Sequence, residues 1–301
     1  MPPVSRRQFL ATSIAAAAVA NLIAAESSPE PIIDIHQHTD YSGRSDEQMI
    51  AHQRKMGVTH TVLLPAGRFF GLEAQASGND RVVEVAKRLP NEYSYFANEV
   101  PYLSDAAEVI REVLKTGAIG IGEQKFMLDS DSRAIVQVAE IAQEFGVPVL
   151  LHFQFGRYNT GYERFPKILE RFPKVNFIGH AQTFWANIDA AADQKVLYPK
   201  GPVERGGLTD RYLAEYPNFY GDLSAGSGLN AFQRDEEHAR GFIDRHQDKL
   251  IYGSDCNDAV GEGEKCSGSQ MIAAVRRLSP SKVVERKLLY ENAKRLLRLK
   301  V

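Results

Sequence analysis

The chain has 301 residues, 36 of them basic and 38 acidic, for a formal charge of −2 with two cysteines. A near-neutral balance with no basic tract excludes a surface built to hold nucleic acid or anionic lipid. Two cysteines, Cys256 and Cys266, exclude a disulfide framework and leave open a local bridge or two free thiols.

Ser5-Arg6-Arg7-Gln8-Phe9-Leu10 stands ahead of an alanine-rich stretch over 11–25. Paired arginines, a modest apolar run and then small residues describe a twin-arginine export signal, residues 1–25, with cleavage after Ala20 or Ala25. The run falls short of the about 20 residues of a membrane-spanning helix. Its removal would take the formal charge from −2 to −4. The expected partner is the twin-arginine export machinery and the expected location the periplasm. That route carries folded, cofactor-loaded proteins, which suits a metalloprotein.

Residues 31–301 carry no linker or low-complexity tract and suit one large α/β domain. Short apolar runs at 31–38, 59–65, 93–100, 118–126, 148–154, 175–180, 219–224 and 250–255 read as strands. Helix-like runs separate them. The first, 45–57, opens on Ser45 and stops at Gly57, a capping residue and a helix terminator. Others follow at 79–89, 105–116, 132–146, 162–172, 210–216, 236–249, 269–278 and 281–299, several with apolar residues three and four apart. Eight strands alternating with helices predict a parallel (β/α)8 TIM barrel, in which functional residues occupy the C-terminal strand ends.

The eight histidines sort against that rule. His36 and His38, two apart, project together from the end of the first strand, and His152 and His180 end the fifth and sixth. His52, His238 and His246 fall on helices and His60 near the start of the second strand, which makes them structural or surface residues. Asp255 ends the eighth strand. Glu123 and Lys125 share parity in the fourth, so both could face the mouth. Imidazole and carboxylate together suit a divalent ion, zinc first, and a carboxylate can also move a proton.

The ordered set resembles the amidohydrolase superfamily. Asp34-Ile35-His36-Gln37-His38, Ile178-Gly179-His180, Tyr220-Gly221-Asp222-Leu223-Ser224 and Tyr252-Gly253-Ser254-Asp255 are similar to its amidohydrolase-related (amidohydrolase 2) branch, as is the closing Tyr290-Glu291-Asn292-Ala293-Lys294-Arg295-Leu296-Leu297. That branch holds lactonases, other hydrolases and metal-dependent decarboxylases. The resemblance implies metal ligation by His36, His38, His152 and Asp255, and makes His180 a further ligand or the group polarising the substrate. One or two ions are implied. Gly-Ile-Gly-Glu resembles the TatD-type nucleases and favours Glu123 as ligand; Lys125 could instead carry a carbamate or meet the substrate.

The expected reaction is hydrolysis of a small lactone, amide or ester by metal-activated water, with Asp255 taking its proton and His180 stabilising the oxyanion. The alternatives are nonoxidative decarboxylation of a small acid, a TatD-like phosphodiesterase that the missing basic patch argues against, and a non-catalytic metalloprotein. For the substrate, loops carry Arg44, Arg68, Arg157 and Trp185, with Tyr41, Phe69, Phe70 and Tyr158 nearby, and Asp222 ends the seventh strand. The 190–208 segment is expected as a lid or a packing element over the mouth.

Overall fold

Each apolar run becomes a parallel strand in the computed structural model, which describes residues 30–68 and 76–301. The strands are β1 (Ile33–Gln37), β2 (His60–Leu63), β3 (Tyr93–Tyr95), β4 (Ile121–Gln124), β5 (Val149–His152), β6 (Phe177–His180), β7 (Phe219–Asp222) and β8 (Leu250–Ile251). The leader with Arg6 and Arg7, and the residues Phe69 and Phe70, lie outside the described residues. Strands pair in chain order within β1–β3 and within β4–β8. A parallel bridge from Ala97 to Ile121 joins the two sets. Hydrogen bonds from Ile35 N to Tyr252 O (3.2 Å) and from Asp255 N to His36 O (2.8 Å) close the ring. The result is the expected (β/α)8 barrel.

The helices are α1 (Asp46–Lys55), α2 (Asn79–Arg88), α3 (Ala106–Lys115), α4 (Arg133–Phe145), α5 (Pro166–Arg171), α6 (Ala181–Ala186), α7 (Leu208–Glu215), α8 (Ala225–Gln233), α9 (Glu236–His246), α10 (Ser267–Leu278), α11 (Lys282–Arg286) and α12 (Asn292–Leu297). Ser45 and Gln48 form a reciprocal capping box on α1. Ser132 caps α4, which Gly146 ends at φ 66°. The 190–208 segment and the residue before it are tied to the region of α8 and the start of α9. Asp189 takes Arg234 in an ion pair of 3.0 Å, Val203 N donates to Asp235, and Asn230 donates to Pro199 O.

The barrel interior has two layers. Ile33, Ile35, Val62, Leu64, Phe96, Leu150, Ile178 and Ile251 point inward and pack on Tyr290, Ala293, Leu296 and Leu297 at the chain's closing helix, which plugs the floor. Two residues further along β5 and β6 the same alternation presents His152 and His180 at the rim. In β1 alternation alone would fail. Ile33 and Ile35 face inward, so His36 should face the helices. Pairing of Asp34 with Thr61 and of Gln37 with Leu63 sets three residue steps against two. This one-residue bulge flips the parity and turns His36 and His38 to the axis. β4 repeats the device. Ile121 belongs to the outer core, and the shift between Ile121–Val149 and Gln124–Leu151 brings Glu123 inside. Gly122 sits in the bulge at φ 141°, where a Cβ would lie 2.7 Å from Leu150 O.

Candidate metal centre

His36, His38, Glu123 and Asp255 converge at the rim. His36 Nε2 and His38 Nε2 are 3.1 Å apart. Glu123 Oε2 lies 3.7 Å from the first and 3.6 Å from the second, and Asp255 Oδ1 lies 3.8 and 3.5 Å from them. Donors at about 2.0–2.2 Å from one ion stand about 3.4 Å from one another, and each of these five separations is close to that.

Hydrogen bonds at the back of each ring fix which nitrogen faces the centre. His36 Nδ1 donates to Asp222 Oδ2 at 2.6 Å. His38 Nδ1 donates to the Leu64 carbonyl at 2.7 Å. His180 Nδ1 meets Ser224 Oγ at 2.9 Å, and that hydroxyl donates to Asp222 Oδ2 at 2.7 Å. The bonds at His36 and His38 each leave an Nε2 lone pair for the centre, the arrangement in which outer carboxylates and carbonyls orient metal-binding imidazoles. Two facing lone pairs 3.1 Å apart require a cation or a proton between them. Asp255 Oδ1 is buried with no hydrogen-bond partner among the described residues. The donor set therefore fits a divalent ion.

Electrostatics agree. Burial would raise Glu123, yet the Lys125 charge and the His152 ring hold it well below the usual carboxylate range. Burial would likewise raise Asp222 and Asp255, and His36 and His180 hold both down. Burial would lower His36, but Asp255 and Asp222 hold it well above the ordinary imidazole value. Burial drives His152 down to about 4 despite the Glu123 charge beside it. His152 is thus a neutral donor, with Nδ1 2.6 Å from Glu123 Oε1.

The expected residues fall in different places. His36, His38, Asp255 and Glu123 meet, and His180 Nε2 lies 3.5 Å from Asp255 Oδ2 and 3.6 Å from Glu123 Oε1. His152 does not join the converging atoms, because its Nδ1 is turned to the far oxygen of Glu123. Two substrate expectations, Trp185 and Asp222, are corrected. Trp185 is buried against Phe184, Phe232 and Phe242 and donates Nε1–H to Asp222 O (2.9 Å), so it is a core residue. Asp222 is fully buried behind His36 and His180 rather than at the mouth. Arg68 pairs with Glu99 (2.6 Å) and Asp105 (2.7 Å), so its charge is already matched. Arg44 is also structural, donating to Cys256 O, Asp258 O and Gln37 Oε1. Lys125 stays near the mouth, 5.6 Å from the Tyr158 ring, which Arg157 also approaches at 5.2 Å. The Tyr41 ring meets His38 edge-on at 5.0 Å, and burial together with Asp255 keeps its phenol protonated.

Sequence reasoning missed the supports. Asp34 Oδ1 accepts from Ser254 N and His36 N, locking β1 to the end of β8. Gln37 donates to Ser254 Oγ and Cys256 O across the same seam. The inward position of Gly253 leaves room that a Cβ would take from Asp222 Oδ1 and His36 Cβ. Asn98 ties Pro65 O to Glu123 O, and Asn159 ties Gln124 O to His152 O. Ala181, Ala225 and Asp255, at the ends of β6, β7 and β8, all adopt positive φ (78°, 62° and 38°), and such residues cluster at functional sites. The motif words containing Asp34, Ser224 and Gly253 were the available signal.

Comparison with known proteins settles the family. A family model described as amidohydrolase, of the amidohydrolase-2 type, matches residues 33–299. The chain belongs to the amidohydrolase family. No curated protein matches this family member significantly. Among solved structures, an uncharacterised TIM-barrel protein from Bordetella bronchiseptica is 17% identical, with a TM-score of 0.64 over 89% of this chain and 98% of that one. A putative 2-pyrone-4,6-dicarboxylic acid hydrolase from Pseudomonas putida is 16% identical, with a TM-score of 0.63 over 91% and 100%. The 5-carboxyvanillate decarboxylase of Sphingomonas paucimobilis is 14% identical, with a TM-score of 0.56 over 86% and 84%. At these identities the likeness is one of fold, and the amidohydrolase family gives the frame for its chemistry.

Proposed function

We propose that this amidohydrolase is a metal-dependent hydrolase of small carbonyl compounds, lactones and amides first, in which His36, His38, Glu123 and Asp255 hold the ion. The observation that carries the reading is the convergence of Glu123 and Asp255 oxygens on the facing Nε2 atoms of His36 and His38, with the back of each imidazole already bonded. A divalent ion bound there, zinc first, would activate water near neutral pH and polarise a carbonyl. The chain's own groups do the rest. Asp255 Oδ2 takes the proton of the attacking water and passes it to the leaving group. His180 Nε2, 3.5 Å from that carboxylate, donates to the oxygen on which negative charge develops. His152 holds Glu123 by its outer oxygen, and Asp222 with Ser224 sets the His36 and His180 rings. Glu123 offers one oxygen to each side, Oε2 to His36 and His38 and Oε1 toward His180, so a second ion is compatible with it.

Lys125 beside Tyr158 supports a substrate that carries a carboxylate. The named acids of the P. putida and S. paucimobilis proteins support the same choice, and the latter keeps nonoxidative decarboxylation as the second reading. The deciding experiment begins with metal analysis. His36→Ala/His38→Ala should retain the fold by circular dichroism and lose the ion at this centre; retention of the full metal content refutes the assignment. A panel of lactones, amides and aromatic acids then separates the reactions: ring or amide opening without carbon dioxide supports hydrolysis, and carbon dioxide release supports the second reading. The paired arginines support export to the periplasm, and Arg6→Lys/Arg7→Lys should abolish it; normal export of that variant refutes the twin-arginine reading.

A further inference from the structure

Outside this centre the fold gathers a second set of donor atoms, all soft or borderline. Cys256 follows Asp255 in the loop after β8. Cys266 stands at the N-terminal cap of α10. His52 lies in the last turn of α1, and Met56 immediately follows that helix. Cys256 Sγ and Cys266 Sγ are 3.8 Å apart. Cys266 Sγ is 3.4 Å from His52 Nε2 and 3.6 Å from Met56 Sδ. His52, Cys256 and Cys266 each offer a donor within 4.8 Å of the other two. All four side chains are buried.

We propose that His52, Cys256 and Cys266, with Met56 as fourth donor, form a second metal site for a thiophilic d10 ion, zinc or monovalent copper. With metal–sulfur bonds of about 2.3 Å and metal–nitrogen bonds of about 2.0–2.1 Å, a tetrahedral ion spaces two sulfurs about 3.8 Å apart and a sulfur and a nitrogen about 3.6 Å. The three separations from Cys266 Sγ are close to those values. Thiolate, imidazole and thioether select soft ions over magnesium or calcium. A disulfide would bring the sulfurs to about 2.05 Å and give His52 and Met56 no part. The His52 ring itself points to a missing partner. It is fully buried, its Nδ1 has no hydrogen bond among the described residues, and its Nε2 faces sulfur. An ion would give Nε2 a stronger partner than a thiol sulfur does, while Nδ1 keeps its own position.

The site joins α1, the start of α10 and the loop that leaves β8. The Cys256 carbonyl also accepts from Gln37 (3.1 Å) and Arg44 (2.9 Å). An ion there fastens the residue next to Asp255. Its role is to position, and it stands whether or not the hydrolase reading does.

The test uses the full chain carrying His36→Ala/His38→Ala, reduced, stripped by chelator and reloaded with zinc alone or copper(I) alone. Native mass spectrometry should count one ion per chain, and both thiols should resist alkylation until the protein is denatured. Cobalt(II) in place of zinc should give thiolate-to-metal charge-transfer absorption. Adding Cys266→Ser should remove the ion and the absorption, and His52→Gln should do the same if the serine variant fails to fold. Met56→Leu tests the fourth donor: about tenfold or more weaker copper(I) binding with unchanged zinc binding identifies copper, and unchanged binding of both ions overturns Met56 as a donor. Absence of any ion in the folded double-alanine protein overturns the proposal. So does an ion that survives both Cys266→Ser and His52→Gln, or a Cys256–Cys266 disulfide persisting after reduction and zinc loading.

Discussion

The floor and the rim of the barrel are about equally buried, and they are built on opposite rules. At the floor Leu150, Ile178 and Ile251 meet Tyr290, Ala293, Leu296 and Leu297, and any well-fitting hydrocarbon would serve. One step up the same strands, His152 and His180 replace Leu150 and Ile178, and each ring has its own partner, Glu123 for the first and Ser224 for the second. The floor gains stability by removing apolar area from water. The rim holds charge out of water, which is unfavourable unless every group has a partner. The contrast extends to the backbone. Plain alternation serves β5 and β6, whereas β1 and β4 each need an inserted residue to aim His36, His38 and Glu123.

Substitutions at the two levels should therefore separate function from stability. Asp255→Asn keeps the shape and removes the basicity, so turnover should fall about 10²–10⁴-fold with the urea midpoint little changed; near-normal turnover in a metal-loaded variant removes Asp255 from the mechanism. Leu150→Ala is the converse. It should cost about 2–5 kcal/mol in urea unfolding while metal content stays at the wild-type level, and loss of the ion would show the layers to be coupled. Asp222→Asn acts between them. It touches the rim through His36, His180 and Ser224, so zinc affinity measured by chelator competition should drop about 10–100-fold.

A smaller effect concerns pH. In the metal-free rim, burial would lower His36, but Asp255 and Asp222 raise it well above its ordinary value. That raised value stabilises the metal-free fold fully below about pH 6.5, the unfolded value, and the contribution is lost as pH rises through the folded one. An incoming ion must displace the same proton, so its affinity rises with pH over that window. Melting curves of metal-free and zinc-loaded protein should draw apart as pH increases. Leu150→Ala should move both curves equally, and a gap independent of pH would place the proton elsewhere.

The difference between the layers also explains what could be read from the sequence. All eight strands were legible because each is a short apolar run between amphipathic ones, and His180 and Asp255 followed from position alone. The bulges were not, since an extra residue changes no composition; His36 and His38 share a face with or without one. Helices α6 and α8 escaped because Ala-Gln-Thr-Phe-Trp-Ala is too short to show a period and Ala-Gly-Ser-Gly opens with poor helix formers. Trp185 and Asp222 were placed at the mouth because aromatic and acidic residues at strand ends look alike whether they face ligand or core. Only the partners, Asp222 O for the indole and His36 for the carboxylate, tell them apart.

The floor plug carries a consequence for biosynthesis. Its apolar face comes from Tyr290, Ala293, Leu296 and Leu297, and the chain reaches these residues only after all eight strands. A nascent chain that has already paired β1 through β8 still holds an open apolar well. Ile33, Ile35, Val62 and Leu150 then await a cover that has not left the ribosome. The floor of this barrel is thus closed by a segment made after β8, and a chain stalled before it would present chaperones with a ring of strands around a greasy hole.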